Sequence, residues 1–301
     1  MKLIWQNGSL VAFENATTHV MSHGLHYGSG VFEGIRAYEL ASGETAIFAL
    51  QEHVKRMFDS AAPIGMTIPY TQEQVGQAIV ETVKANGYKS CYIRPLVYYG
   101  NPPSGVRVRP DPKTKVEVII SCYEMGNYLP DVPLNVLISD FIRIHPQSTA
   151  VGAKICGHYV NSLQALLAIK DNNYDEVILL DHEGYVAEGS SENIFRVKDG
   201  VIITPQLGTI LTGITRKIIM ELATELGYTV VEGKFLPEDL FTADEVFFTG
   251  TAVEVRGAGH INDRPIGNGA EGPITQRIKA EYKKVYQGEN AKYAKYLTLV
   301  K

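Results

Sequence analysis

The sequence predicts an α+β protein of two domains. Three observations carry this: strand-like alternation and helical spacing both recur along the chain, a Gly/Pro-broken stretch interrupts the periodicity at residues 125–133, and neither a strand–GxGxxG–helix unit nor a solenoid repeat is present. The expected division is a small N-terminal domain over 1–124, a linker over 125–133 and a larger domain over 134–301.

In chain order, residues 26–40 (HYGSGVFEGIRAYEL) alternate as one strand. Phe32, Gly34, Arg36 and Tyr38 share one face, and Val31, Glu33, Ile35 and Ala37 share the other. The segment ASGETAIF adds a Ser-Gly turn and an apolar run, the mark of a hairpin. Val54, Met57, Phe58 and Ala61 recur at helical spacing until Pro63, and Val75, Ile79, Thr82 and Val83 do so until Gly87. Residues 91–99 and 115–123 read as strands separated by the loop GNPPSGVRVRPDPKT. Beyond the linker, a helix is expected over 161–170, capped by Asn161 or Ser162, then a buried strand EVILLD. The segments YVAEGSSENIFRV and VIITP form strands around a turn at Asp199-Gly200. A helix from Ile214 carries Ile218, Leu222 and Leu226 on one stripe and stops at Gly227; a last one turns Ile274, Ile278 and Val285 inward.

Composition narrows the function. The 301 residues are 45% hydrophobic and 20% charged, which suits a chain that folds almost throughout. With 28 Lys and Arg against 33 Asp and Glu, the formal charge is −5 and no basic run occurs, so no nucleic-acid or membrane partner is expected. The three cysteines are odd in number and form no C-x-x-C pair, and the first residues carry no apolar signal segment; both point to the cytoplasm. His19, His23 and His26 are closely spaced but lack the H-E-x-x-H pattern, so no metal is expected.

Four segments carry potential chemistry. Lys154, in AVGAKICGHYVNS, lies among small and apolar residues, where desolvation lowers an amine's pKa and makes it a nucleophile. A lone lysine beside a Gly-rich loop is more often an ordinary surface residue, so its context decides. Glu188 follows in EGSSENIF; a buried carboxylate there could keep a pyridine ring nitrogen protonated. LTGITRKII places a glycine before Ile214 and Thr215 in a helix's first turn, a ready phosphate cradle, and FFTGTAVEV ends a strand in a turn whose N–H groups face the same use.

Taken together these residues carry a resemblance. The run Glu188, Ser190, Asn193, Ile194, Phe195, Ile202, Thr204, Leu211, Gly213, Ile214 and Arg216 resembles the class IV aminotransferase signature with its gaps respected. HGLHYGSGVFEGIRAY and CYIRPL are similar to the branched-chain amino-acid aminotransferases, members of the pyridoxal-phosphate fold type IV family, and the likeness extends over roughly residues 19–277. The resemblance implies a small α/β domain and a larger, cofactor-binding, barrel-like β domain with flanking helices. It implies pyridoxal 5'-phosphate as cofactor, amino-acid and 2-oxo-acid substrates, and ping-pong transamination of leucine, isoleucine or valine with 2-oxoglutarate by a homodimer or higher homo-oligomer.

It also implies roles residue by residue. Lys154 is the Schiff-base lysine, Tyr159 bonds the cofactor's phenolic oxygen, and Glu188 partners the ring nitrogen. Arg56, Ile214, Thr215 and Thr251 hold the phosphate, and Leu211 packs on the ring. Tyr27, Phe32, Gly34, Arg36, Tyr92 and Tyr128 line the substrate pocket, Thr251 and Ala252 take the α-carboxylate, and Arg94 with the partner subunit's Tyr27 takes the distal carboxylate of glutamate. Glu33, Arg36 and Arg94 could instead tie strands together by ion pairs, and Glu192 could be a structural carboxylate. Arg107 and Arg109, in the Pro-rich loop, are expected to face solvent, with the alternative that a cationic loop over the pocket binds the substrate carboxylate or closes on it. A D-amino-acid or (R)-amine transaminase, or an aminodeoxychorismate lyase, would use the same lysine and glutamate with a different pocket.

Overall fold

In the computed structural model, which describes residues 2–126 and 128–301, contacts fall into two units. The first holds the chain up to Gly126 together with Ala153–Gly157 and Val285–Lys301, and the second holds the rest.

The first unit contains β1 (Leu3–Gln6), β2 (Ser9–Ala12), α1 (His23–Tyr27), β3 (Gly30–Phe32), β4 (Ile35–Glu39), β5 (Thr45–Phe48), α2 (Leu50–Ala61), α3 (Gln72–Asn86), β6 (Cys91–Tyr99) and β7 (Val116–Tyr123). Its antiparallel sheet runs Leu297–Leu299, β5, β4, β6, β7, β1, β2, with β3 also paired to β6. Val54, Met57 and Ala61 of α2 and Val75, Ile79 and Val83 of α3 join Val31, Ile35, Ile93, Val97 and Ile120 of the sheet in one core. α3 opens with a capping box, in which the Gln74 N–H donates to Thr71 Oγ1 and the Thr71 N–H donates to Gln74 Oε1, and it ends at Gly87 with φ 73°.

The single strand expected over 26–40 is a short helix and two strands. His23–Tyr27 turns helical and closes on Gly28 with φ 61°, a left-handed position that suits glycine. β3 and β4 keep one continuous register against β6, from Gly30 opposite Tyr98 to Ala37 opposite Cys91. The ladder breaks where Glu33 meets Pro95: the Glu33 N–H reaches Pro95 O at 3.0 Å, and Pro95 has no N–H to return. Continuity of register preserves the expected faces.

Two segments placed after the linker by sequence pack in the first unit. Ile155 bridges Val31, and Leu297–Leu299 pairs with β5. Backbone pairing thus overrides sequence proximity.

The second unit contains β8 (Leu134–Ile138), α4 (Tyr159–Ala168), β9 (Glu176–Leu180), β10 (Val186–Gly189), β11 (Asn193–Lys198), β12 (Val201–Thr204), α5 (Ile214–Glu225), β13 (Thr229–Glu232), α6 (Pro237–Phe241), β14 (Glu245–Gly250), β15 (Glu254–Ile261), β16 (Arg264–Pro265) and most of α7 (Pro273–Tyr286). The order β10, β9, β8, β15, β14, β11 closes because β11 also pairs with β10 at Glu188 and Asn193. This is a six-stranded barrel extended by β12 and β13. β9 is apolar on both faces for a reason: Ile178 joins the core of Leu134, Val136, Ile194 and Phe248, whereas Val177 and Leu179 pack with Ala165 and Ile169 at α4.

The β11–β12 turn has Asp199 and Gly200 at φ 50° and 75°, as the expected hairpin requires. α4 begins earlier than expected, with His158 rather than Asn161 or Ser162 as its cap. Asn161 is the third residue of the helix rather than its cap, and its Nδ2 donates to Ile142 O at 2.9 Å. Among the described residues no helix is long and apolar enough to cross a membrane, and no group of three metal-ligating side chains occurs.

Candidate active site

In the first unit, Lys154 sits on the segment that bridges β3. The Phe32 N–H donates to Lys154 O at 3.2 Å, the Lys154 N–H donates to Ser60 Oγ of α2 at 2.9 Å, and the ammonium nitrogen lies 4.9 Å from the centre of the Phe32 ring. The segment is thereby held by its backbone, with the amine buried against an aromatic ring. Burial and then the neighbouring Arg56 guanidinium push its pKa down to about 8, against opposing pulls from Glu33 and Tyr92. A substantial share of the amine is neutral near pH 8 and can act as a nucleophile.

The two strand faces converge as the alternation requires. Arg94 lies 4.7 Å over the Phe32 ring and donates to Tyr92 Oη at 3.0 Å. A Cβ added at Gly34 would collide with that tyrosine hydroxyl, so the glycine is what lets Tyr92 lie across the strand. Lys154, Phe32, Gly34, Tyr92 and Arg94 form one group. Arg36 reaches elsewhere, to Gly126 O at 3.2 Å and over Tyr38. Tyr27 is exposed and packs 4.8 Å from the His23 ring. Arg107 and Arg109 are exposed, and His23 Nε2 holds their loop by donating to Arg107 O at 2.8 Å.

Arg56 makes a two-pronged contact with Glu33, and His53 joins the same carboxylate. His53 was not singled out by sequence. From the sequence, Glu33 was a charge on the otherwise apolar face of Val31, Ile35 and Ala37 and a candidate for an ion pair between strands; its cation is Arg56 of α2 instead.

In the second unit, Glu188 is the centre. Arg143 Nε donates to Glu188 Oε1 at 2.5 Å, while Oε2 accepts from the Leu211 N–H at 3.0 Å and from Asn193 Nδ2 at 3.2 Å. Three donors, one of them a cation, thus compensate the burial of this carboxylate. Asn193 Nδ2 also donates to Leu211 O at 3.1 Å, and a Cβ at Gly213 would strike the Asn193 side chain. The signature residues are therefore spaced to stitch the loop before α5 onto β10 and β11. Tyr159, Glu188, Asn193, Leu211, Arg143 and His158 line one cleft. Arg143, in FIRIHP, gave no signal in the sequence.

α5 starts behind Gly213 with no side-chain cap, so the first-turn amides of Ile214 and Thr215 have no side-chain acceptor at that cap. Thr251 and Ala252 are half-buried in the turn after β14; Tyr128 is exposed. The Thr249 hydroxyl, opposite Asn193 in the ladder, is buried without a hydrogen-bond partner among the described residues. An uncapped helix start, an orphaned hydroxyl and a buried carboxylate form a donor and acceptor set that fits a phosphorylated pyridine compound.

A buried lysine of lowered proton affinity in the first unit, and in the second a buried carboxylate beside an uncapped helix start, are each groups of the kind that carbonyl chemistry uses. Residues 30–261 match the family model described as amino-transferase class IV. The branched-chain-amino-acid aminotransferase of Pseudomonas aeruginosa is 44% identical over 303 aligned residues, covering 99% of this chain and 97% of that protein. The crystal structure of the T.th. branched-chain amino acid aminotransferase complexed with N-(5'-phosphopyridoxyl)-L-glutamate is 44% identical, with a TM-score of 0.94 and coverage of 100% of this chain and 99% of that one. The Escherichia coli branched-chain enzyme superposes with a TM-score of 0.94 at 36% identity, covering 100% of this chain and 99% of that one. The chain belongs to the class IV aminotransferase family.

Proposed function

We propose that this chain transfers the amino group of leucine, isoleucine or valine to 2-oxoglutarate in two half-reactions, with pyridoxal 5'-phosphate as cofactor. The observation that carries the reading is likeness over 99% of the chain to a branched-chain aminotransferase at 44% identity. Relatives so named also weigh against the D-amino-acid, (R)-amine and aminodeoxychorismate alternatives.

When bound, the cofactor supplies an aldehyde carbon that captures amines and a pyridine ring that withdraws electrons. Lys154 would hold that carbon through its amine, and its free amine would take the substrate's Cα proton. Glu188, braced by Arg143, is assigned to the ring-nitrogen proton. Tyr159 is assigned to the phenolic oxygen and Leu211 to the ring face. Arg56, the first-turn amides of Ile214 and Thr215, and Thr251 are assigned to the phosphate.

Phe32, Gly34 and Tyr92, with Tyr27, Arg36 and Tyr128, are assigned to the substrate, and Thr251 and Ala252 to its α-carboxylate. Arg94, with the partner subunit's Tyr27, is assigned to the distal carboxylate of glutamate. Aromatic walls supply apolar area for an aliphatic chain, and the arginine adds charge only for a diacid.

The reading includes a homodimer or larger homo-oligomer in the cytoplasm. Exposed Phe13, Val20, Met21 and Leu25 in the first unit, and Val160, Leu163 and Leu167 on α4, support the former. Three free cysteines support the latter.

Purified protein is expected to absorb in the near-visible, and Lys154→Ala to abolish that band and the turnover of L-leucine with 2-oxoglutarate. Wild type without the band, or turnover of D-alanine alone, overturns the reading.

A further inference from the structure

Glu33 is a charge on a face built for apolar side chains. Val31, Ile35 and Ala37 beside it belong to the core, and Glu33 itself is 0% exposed. A carboxylate at that depth is costly without full compensation. The compensation comes from α2. Arg56 Nε donates to Glu33 Oε1 at 2.7 Å, Arg56 Nη2 donates to Oε2 at 2.8 Å, and His53 Nδ1 lies 2.7 Å from Oε2. The backbone is pinned as well, by the Glu33 N–H to Pro95 O bond at the break between β3 and β4.

A two-pronged fork determines the plane and direction of a guanidinium, which a single bond leaves free to rotate. Burial lowers the pKa of His53, so it serves as a neutral donor and the group balances one negative charge against one positive. The segment carrying Lys154 is tied to this same α2 through Ser60.

We propose that Glu33 is the positioning residue of the lysine site: it sets the plane of the Arg56 guanidinium and offsets its charge at the Lys154 amine. The proposal rests on the reading of Lys154 as the cofactor's lysine and deepens it.

Among the described residues, the titratable and charged groups that act on Lys154 include Arg56 and Glu33, Tyr92 and Arg94 of β6, His53 of α2, and Cys156 on its own segment. Glu33 is the one carboxylate in this set. Removing either side of the fork must therefore move the amine in opposite directions: loss of the anion disfavours the ammonium, and loss of the cation favours it.

The test measures acetic anhydride acylation of Lys154 against pH by mass spectrometry, in the full-length chain freed of bound cofactor. Wild type is expected to titrate at about 8. Glu33→Gln is expected to lower that midpoint by about one pH unit, and Arg56→Gln to raise it. General disruption of the fold cannot produce shifts of opposite sign, and circular dichroism identifies a variant that fails to fold; the sign in the other then decides. A Glu33→Gln midpoint that stays or rises, or an Arg56→Gln midpoint that falls, overturns the proposal. The near-visible band of the wild-type holoenzyme tests the cofactor reading separately, because acylation of Lys154 needs no cofactor.

Discussion

Glu33 and Glu176 are both buried, one in each unit, and their surroundings drive them in opposite directions. Burial alone raises a carboxylate's pKa; at Glu33 the Arg56 fork and His53 overcome that and hold it well below the usual 4.5. Glu176, the first residue of β9, accepts from the Val177 N–H at 2.7 Å, the Ser190 N–H at 3.1 Å and Ser190 Oγ at 3.0 Å. Burial, followed by the charge of Glu192, still pushes it well above 4.5. Neutral donors do not substitute for a cation when a second carboxylate stands beside the first. Glu192 in turn accepts from the Ser191 N–H at 3.0 Å, so the two acids clamp consecutive serines of the turn that follows Glu188.

The opposite shifts give opposite pH dependences. The contribution of Glu33, whose folded-state pKa lies below its unfolded one, is present above about pH 4.5 and is lost as acid protonates it. That of Glu176, whose folded-state pKa lies above its unfolded one, is complete below about pH 4.5 and is lost as pH rises.

Breaking the first arrangement gives the largest effect. Glu33→Ala leaves the partly buried Arg56 opposite no carboxylate at that position and is expected to cost about 3–5 kcal/mol in urea denaturation at pH 7; a loss below about 1 kcal/mol would show that water replaces the carboxylate. Glu176→Gln sharpens the contrast. It supplies permanently the hydrogen that the acid must bind, so its denaturation midpoint should exceed wild type at pH 8 and gain little at pH 4. A lower midpoint at pH 8 would mean that Glu176 is ionised there. Thr71→Ala removes a helix cap from the first unit and is expected to cost about 1 kcal/mol, with a part that fades in acid because the Glu73 carboxyl is held below its usual pKa by its own backbone N–H and also by the Thr71 side chain. It sets the scale against which the buried acids are read.

Much of the candidate site was legible. The faces of residues 30–38 followed from alternation even though the strand is broken, because β3 and β4 share one register against β6. The spacing from Glu188 to Arg216 corresponds to hydrogen bonds that stitch Asn193, Leu211 and Glu188 together. The break at Glu33 was not legible, since it depends on Pro95 arriving opposite from a strand far along the chain. Nor was Arg143, whose only distinction is the carboxylate it meets 45 residues away in sequence.

By itself the sequence determined the periodic elements, the two-domain α+β class, the signature residues and the family they resemble. Those are local or fixed-spacing properties, written in side-chain type and period. Tertiary structure decided which unit receives Ala153–Gly157 and the C-terminal strand, that the second sheet closes into a barrel, and that Glu33 finds a fork while Glu176 finds another acid. These depend on partners brought together from distant segments, and the charge state of a buried group is set by those partners and by the loss of water.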